Sequence, residues 1–253
     1  MGLSKNKIKY LNSLALKKNR DKEGVFIAEG VKLVGDLLPY FKAKLIVAEV
    51  SWFEDNNPGA EEIIQLGDLD EMKKISQLST PSPVYAVFYC PKYNLNLHEL
   101  IEKQDLVLAL DSVQDPGNLG TIIRIADWFG IRHILCSKTT VDVYNSKTVQ
   151  STMGALARVE VHYVDLPQIL GVFKDSNFPI YGTFLDGNSI YNAKLLNCGV
   201  IVMGNEGNGI SKEVANFVSH KLLIPSYPAN EATSESLNVA VATAIVCSEF
   251  RRR

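Results

Sequence analysis

The chain has 253 residues, 46% of them hydrophobic and 21% charged, with a formal net charge of −2 at pH 7. That is enough apolar material for one large domain or two small ones, and it excludes a polycation or a low-complexity chain. Any contact with nucleic acid has to rest on a local patch rather than on overall charge.

Such a patch lies near the start. Between Lys5 and Lys22 there are seven basic residues (Lys5, Lys7, Lys9, Lys17, Lys18, Arg20 and Lys22) against the single acid Asp21. The spacing predicts one basic helix over Lys5–Lys18, with Ile8, Leu11, Leu14 and Ala15 on one side. A strand is expected over Val25–Ala28, a helix over Val31–Leu38 and a strand over Leu45–Val50. A helix over Leu69–Leu78 and a strand over Val84–Tyr89 follow, with Pro81 and Pro83 breaking the pattern between them. The segment PKYNLNLHELIEKQ reads as a connector.

From Leu106 the alternation is more regular. Strands are expected at Leu106–Leu110, His133–Cys136, Val159–Val164, Ile180–Phe184, Val200–Met203 and Leu222–Ile224, with a long final helix over Ser236–Phe250. Short, continuously apolar strands separated by helices indicate a parallel sheet covered on both faces. The expected architecture is therefore α/β, with a mostly parallel sheet behind a smaller α/β domain. Its expected division is residues 1–95, a linker at 96–105, and 106–253.

The four cysteines, Cys90, Cys136, Cys198 and Cys247, are far apart with no CxxC spacing, and read as small buried hydrophobes in a reducing cytoplasm. His98, His133, His162 and His220 are equally scattered, so no metal site is expected. No signal peptide is visible, and the longest apolar run, Val239–Cys247, is too short to span a bilayer.

In open parallel sheets ligands bind at the carboxyl ends of strands. Three such ends carry unusual loops: DSVQDPGNLG at 111–120, MGNEGNGIS at 203–211, and the run from Ile224 through PSYPANEATSE to SLN at Ser236–Asn238. In the first, Asn118 is placed to cap the following helix, and that helix carries one arginine, Arg124, in an apolar run. None of the loops is a GxGxxG or a GxxxxGKS, so dinucleotide and P-loop readings lose their main support. A phosphate cradle would gain little from Glu206 in its middle. An acid there suits a ligand with hydroxyl, amino or cationic groups.

The runs LDSVQDPGNLGTIIRIADWFG, IVMGNEGNGIS and IPSYPANEATSESLNVAVATAI resemble, in order and spacing, the three successive motifs of the SpoU (TrmH-type) RNA 2′-O-ribose methyltransferases of the SPOUT class. The run GVFIAEGVKLVGDLL at 24–38 is similar to the L30e-like substrate-binding domain that precedes the catalytic domain in many members. The likeness covers nearly the whole chain. It departs between Pro225 and Ser236, where SYPANEATSE is longer than the usual family loop.

The resemblance implies a trefoil knot near the C-terminus, a homodimer packed through the knotted domain with help from the final helix, and S-adenosylmethionine as cofactor. The backbone at Thr183, Phe184, Leu185, Gly204, Asn205, Gly207, Ile224 and Leu237 would line the cofactor pocket. Arg124 matches the family's catalytic arginine, and Asn118, Glu206, Ser236 and Asn238 match its other polar site positions. The same positions also read as caps (Asn118, Ser236), a solvated acid (Glu206) and a first-turn polar residue (Asn238), and Arg124 as a surface partner of Asp127. The arginine would act either as the base that removes the ribose proton or as a grip on an RNA phosphate. Lys5, Lys7, Lys9, Lys17, Lys18 and Arg20, with the Arg251–Arg253 tail, would supply phosphate contacts to a structured rRNA or tRNA. The rival reading is a non-catalytic RNA-binding or assembly factor that keeps the fold.

Overall fold

In the computed structural model, residues 2–228 and 236–252 are described, and they form two compact units. The first comprises residues 1–92 and 142–157; the second comprises 93–141 and 158–253.

The first unit runs α1 (Lys5–Ser13), α2 (Lys17–Glu23), β1 (Val25–Glu29), α3 (Val31–Leu37), β2 (Ala43–Glu49), α4 (Val50–Asp55), β3 (Ala60–Leu66), α5 (Leu69–Met72) and β4 (Val84–Tyr89). Its sheet has the order β1-β4-β2-β3, in which only the β2–β3 pair is parallel. Leu11, Leu14, Val25, Ile27, Leu45, Val47, Tyr85 and Val87 form a core beneath it. The expected basic helix is two helices. Leu14 is buried, and the Arg20 guanidinium donates to the carbonyls of Leu14 (2.9 Å) and Ala15 (2.8 Å), which the break between α1 and α2 sets free.

Arg20 also reaches Asp142 Oδ2 at 2.6 Å and is only 4% exposed. The expectation that Arg20 contacts RNA is therefore corrected, because the residue is buried and its Nη1 and Nη2 donors are committed inside the fold. The helix expected over Leu69–Leu78 stops at Met72, and Ser76 Oγ instead bonds the buried Glu29 carboxylate at 2.5 Å. Burial raises the Glu29 carboxyl above its ordinary range, against the bonds from Ser76 and the Gln77 N–H. Strand β3 and helix α4 are new; β3 reads AEEIIQL and exposes most of its length as a polar edge.

The second unit holds α6 (Leu97–Glu102), β5 (Leu106–Leu110), α7 (Pro116–Trp128) and β6 (His133–Ser137); the chain then passes through α8 (Ser146–Ser151) of the first unit. It returns as β7 (Glu160–Val164), α9 (Leu166–Asp175), β8 (Ile180–Ser189), β9 (Gly199–Met203), α10 (Lys212–Ala215), β10 (His220–Leu223) and α11 (Val239–Arg252). The sheet order is β10-β8-β9-β5-β6-β7, and every pair is parallel. Strands β5 and β9 are buried along their full length, as a sheet covered on both faces requires. On one face Val107, Ala109, Leu135, Ile180, Val200 and Val202 pack with Leu166, Leu170 and Phe173 of α9. By the strand alternation Tyr181 points to the other face, where it meets Phe250 of α11 edge-on at 4.8 Å, and α11 packs on α7.

Two expectations are corrected here. The segment read as a connector contains α6, capped by Asn96, and its Leu100 belongs to this core. The final helix begins at Val239, not Ser236, because Asn238 Oδ1 accepts from the Ala240 (2.9 Å) and Val241 (3.2 Å) N–H groups and caps it. His133 and His162, distant in sequence, become neighbours when β6 pairs with β7. The four cysteines are free. Among the described residues no helix is long and apolar enough to cross a membrane.

Candidate active site

The carboxyl ends of the neighbouring strands β5 and β9 come together. Asp111, just past β5, donates its N–H to Met203 O at 2.9 Å, and its buried carboxylate accepts from the Ser211 N–H at 2.8 Å. Asn205 ties the glycine loop to the same turn, donating from Nδ2 to Ser112 O at 2.7 Å while its Oδ1 accepts from the Gly207 and Asn208 N–H groups. Gly204 has to be glycine: an added Cβ would lie 2.2 Å from the Gly209 carbonyl carbon.

A side-chain relay then links the three loops. Glu206 accepts from the Gln114 N–H (3.2 Å), the Asp115 N–H (3.2 Å) and Asn118 Nδ2 (3.0 Å). The other end of that amide, Asn118 Oδ1, accepts from Asn238 Nδ2 at 2.9 Å. Partial burial alone would raise the Glu206 carboxyl, but the bonds from Asn118 and from the backbone N–H groups of Glu206, Asp115 and Gln114 outweigh it and hold it below the usual carboxylate range. Glu206 is thus an ionised clasp between loops that stays exposed to solvent on its outer side.

Asn118 does not cap its helix. Pro116 sits in the first turn of α7 with φ already helical, so the helix starts earlier and Asp115 takes the cap, accepting from the Asn118 N–H at 2.8 Å. That frees the Asn118 side chain for the relay. Arg124 lies about 9 Å further along α7 at 1.5 Å per residue, exposed and outside the relay. Its alternative partner is taken, because Asp127 is held by Arg158 through Nε (2.8 Å) and Nη2 (2.7 Å). Arg124 makes no hydrogen bond or ion pair among the described residues. Ser236 is exposed next to Leu237 and is not part of the relay.

The expected cofactor residues fall in four places. In the β8–β10 ladder Lys221 pairs with Gly182 but Leu222 pairs with Asn188, so residues 183–187 bulge out of the register. Thr183, Phe184 and Leu185 lie in this bulge, beyond the β9 pairing as well, which ends at Gly182. Gly187 lets the strand return, since a Cβ there would sit 2.6 Å from the Leu222 carbonyl carbon. Lys221 pins the bulge, pairing with Asp186 at 2.8 Å and lying 4.8 Å over the Phe184 ring. Gly204, Asn205 and Gly207 lie in the β9 loop, and Ile224 directly follows β10. Leu237 stands 48% exposed before α11. The extended loop at 226–235 falls mostly outside the described residues.

Sequence reading missed a hydroxyl cluster at the same sheet edge. Ser112, held at φ 61°, bonds Thr139 Oγ1 at 2.6 Å, and Ser137 bonds both Thr139 (3.0 Å) and Thr140 (3.1 Å). The run SKTT after β6 was the available signal. The basic residues are also sorted. Lys7 pairs with Glu62 and Lys17 with Asp21, whereas Lys5, Lys9 and Lys18 are exposed and unpaired among the described residues. In the arginine tail, Arg251 donates to Phe129 O and Gly130 O at the end of α7, and the exposed Arg252 pairs with Glu249. Arg253 lies outside the described residues.

A wholly parallel sheet whose carboxyl edge gathers three clasped loops beside a strand bulge defines a ligand-binding domain of the open α/β class. The SpoU rRNA Methylase family model matches residues 105–248, and the MRM3-like substrate binding domain model matches residues 5–86. The chain belongs to the SpoU rRNA methylase family. It is 30% identical, over 97% of its length and 96% of the relative's, to the 23S rRNA (guanosine(2553)-2′-O)-methyltransferase RlmP of Bacillus subtilis (strain 168). Among solved structures, a putative RNA methyltransferase of the TrmH family from Porphyromonas gingivalis superposes with a TM-score of 0.88 at 42% identity, covering 100% of this chain and 99% of that one. The AdoMet-bound rRNA methyltransferase from Sinorhizobium meliloti gives 0.84 at 28% identity, covering 100% and 96%.

Proposed function

We propose that the protein is an S-adenosylmethionine-dependent RNA methyltransferase that methylates a ribose 2′-hydroxyl of rRNA or tRNA. The observation that carries the reading is the relay Asn238–Asn118–Glu206 closing three loops beside the unpaired bulge at 183–187. The bulge fits the cofactor. Backbone groups there stand outside both ladders, and Phe184, Leu185, Ile224 and Leu237 offer apolar surface for an adenine ring. When bound, the cofactor supplies a methyl group already activated by its sulfonium leaving group, so no metal is needed for transfer.

The chain's own residues then position the acceptor. A ribose hydroxyl is a poor nucleophile unless its proton leaves as the methyl arrives. Arg124, with no partner among the described residues, is the group free to meet the RNA. Lowering a guanidinium by about five pK units would cost roughly 7 kcal/mol, so gripping a phosphate and orienting the hydroxyl is the less costly role. Glu206 and Asn118 hold the loop from which α7 presents Arg124, and Ser236 and Asn238 border the entry.

In this reading the L30e-like region at 1–95 binds the RNA, using Lys5, Lys9 and Lys18, and 106–253 is the methyltransferase region with a trefoil knot. The final segment supports the knot: from β10 at the sheet edge it crosses back to bond Asn118 and pack α11 on α7. The enzyme works in the cytoplasm as a homodimer through this region, with the 85%-exposed Trp128 of α7 and half-exposed Val241 of α11 as the apolar surface to be covered. Arg124→Ala should abolish methyl transfer from labelled S-adenosylmethionine while leaving cofactor binding nearly unchanged. Cofactor binding by the unaltered protein with no transfer to any cellular RNA would favour the non-catalytic factor.

A further inference from the structure

At the opposite, amino-terminal edge of the parallel sheet stands a second cluster. His133 opens β6 and Glu160 opens β7, and the two are register partners. His162 lies two residues beyond Glu160, so strand alternation puts all three side chains on one face. The three atoms that approach one another are His133 Nδ1, His162 Nε2 and Glu160 Oε2. Their separations are 3.5 Å between the two nitrogens, 3.5 Å from His162 to the carboxylate and 3.8 Å from His133 to the carboxylate. These distances are long for hydrogen bonds. They are instead the edges expected of ligands around a common centre: a point equidistant from all three atoms lies about 2.1 Å from each, the bond length of zinc to imidazole nitrogen or carboxylate oxygen.

We infer that His133, Glu160 and His162 form a divalent-metal site whose natural ion is Zn2+. Two imidazoles and one carboxylate suit a borderline cation better than Ca2+ or Mg2+, which take oxygen ligands. Three protein ligands leave a fourth position, and the partly exposed Glu160 side opens it to water. The surroundings are built for an oriented ligand: His162 is 8% exposed and the Tyr93 ring meets it edge-on at 5.9 Å. The site ties the edge strand β7 to β6, far along the strands from the loops of the methyl-transfer site, and it is independent of that reading.

The test uses the full chain, stripped with chelator and titrated with Co2+ as a spectroscopic probe, then with Zn2+ in competition. One equivalent of Co2+ should produce the visible bands of a four-coordinate nitrogen–oxygen site, and Zn2+ should abolish them. Glu160→Gln and His133→Gln should each weaken binding by more than about 100-fold, exceeding the loss that outer-shell changes bring. His220→Gln should leave it unchanged. Thermal melts in chelator establish that each variant is folded, and Zn2+ should raise the melting temperature of the unaltered protein but not of Glu160→Gln. Absence of the Co2+ bands, or equal affinity in folded Glu160→Gln and His133→Gln, would overturn the assignment.

Discussion

The Asn118 amide is the joint of the Asn238–Asn118–Glu206 relay, and a double-mutant cycle with Asn238 tests it. Asn118→Ala removes two bonds, one donated to the Glu206 carboxylate at 3.0 Å and one accepted from Asn238 at 2.9 Å. A bond to a charged group contributes about 1.5–3 kcal/mol and a neutral one about 0.5–1.5 kcal/mol, and the exposure of Glu206 favours the low ends. The single change should therefore cost about 2–3 kcal/mol of folding stability, because both bonds are already made in the free protein. Asn238→Ala removes the shared bond and the cap of α11, itself about 1 kcal/mol. Because the shared bond can be lost only once, the double variant should be better than the sum of the singles by about 1 kcal/mol, a coupling near fivefold. The assay is urea unfolding of the four proteins of the cycle, followed by circular dichroism. Strict additivity within about 0.3 kcal/mol would refute the relay.

Arg20→Met should destabilise the protein by about 3–5 kcal/mol in urea unfolding, because it leaves the largely buried Asp142 carboxylate without its counter-charge. The same variant should leave RNA affinity of the folded protein unchanged, which filter binding would check. Neutralising Lys5, Lys9 and Lys18 together should reduce the magnitude of the log–log salt slope of RNA binding by roughly three, one per lysine. Glu206 has a lowered carboxyl pKa in the folded state, so its contribution is present above the ordinary carboxylate value and is lost as pH falls through the folded value. The stability gap between the unaltered protein and Glu206→Gln should therefore narrow on acidification below about pH 4.3, the unfolded carboxylate value. A gap that widens there would reverse the sign.

Much of the sheet was readable because its strands are continuous apolar runs: LVLAL and GVIVM can only be buried, and their spacing leaves room for covering helices. Strand β3 escaped notice because AEEIIQL lies on an exposed edge, where only Ile64 and Leu66 face the core and the adjacent Ile63 is exposed, which blurs the period. Helix boundaries failed where a distant side chain competed with the local pattern. Arg20 stabilises the break after Leu14, and Glu29 draws Ser76 out of α5. At the site, Asn118, Glu206 and Asn238 were recognisable by motif, but their bonding to one another was not, since it joins residues 88 and 120 positions apart. The His133–Glu160–His162 cluster was hidden for the same reason; only the pairing of β6 with β7 turns scattered letters into a triangle.

The loan of residues 142–157 to the first unit bears on any attempt to transplant that unit. A fragment cut at residue 92 would keep Phe26 but lose the Tyr144 ring stacked on it at 5.0 Å, and would strand the Arg20 guanidinium without Asp142. Swapping this module between enzymes thus means carrying two pieces of polypeptide, and a graft of the leading piece alone should yield insoluble product.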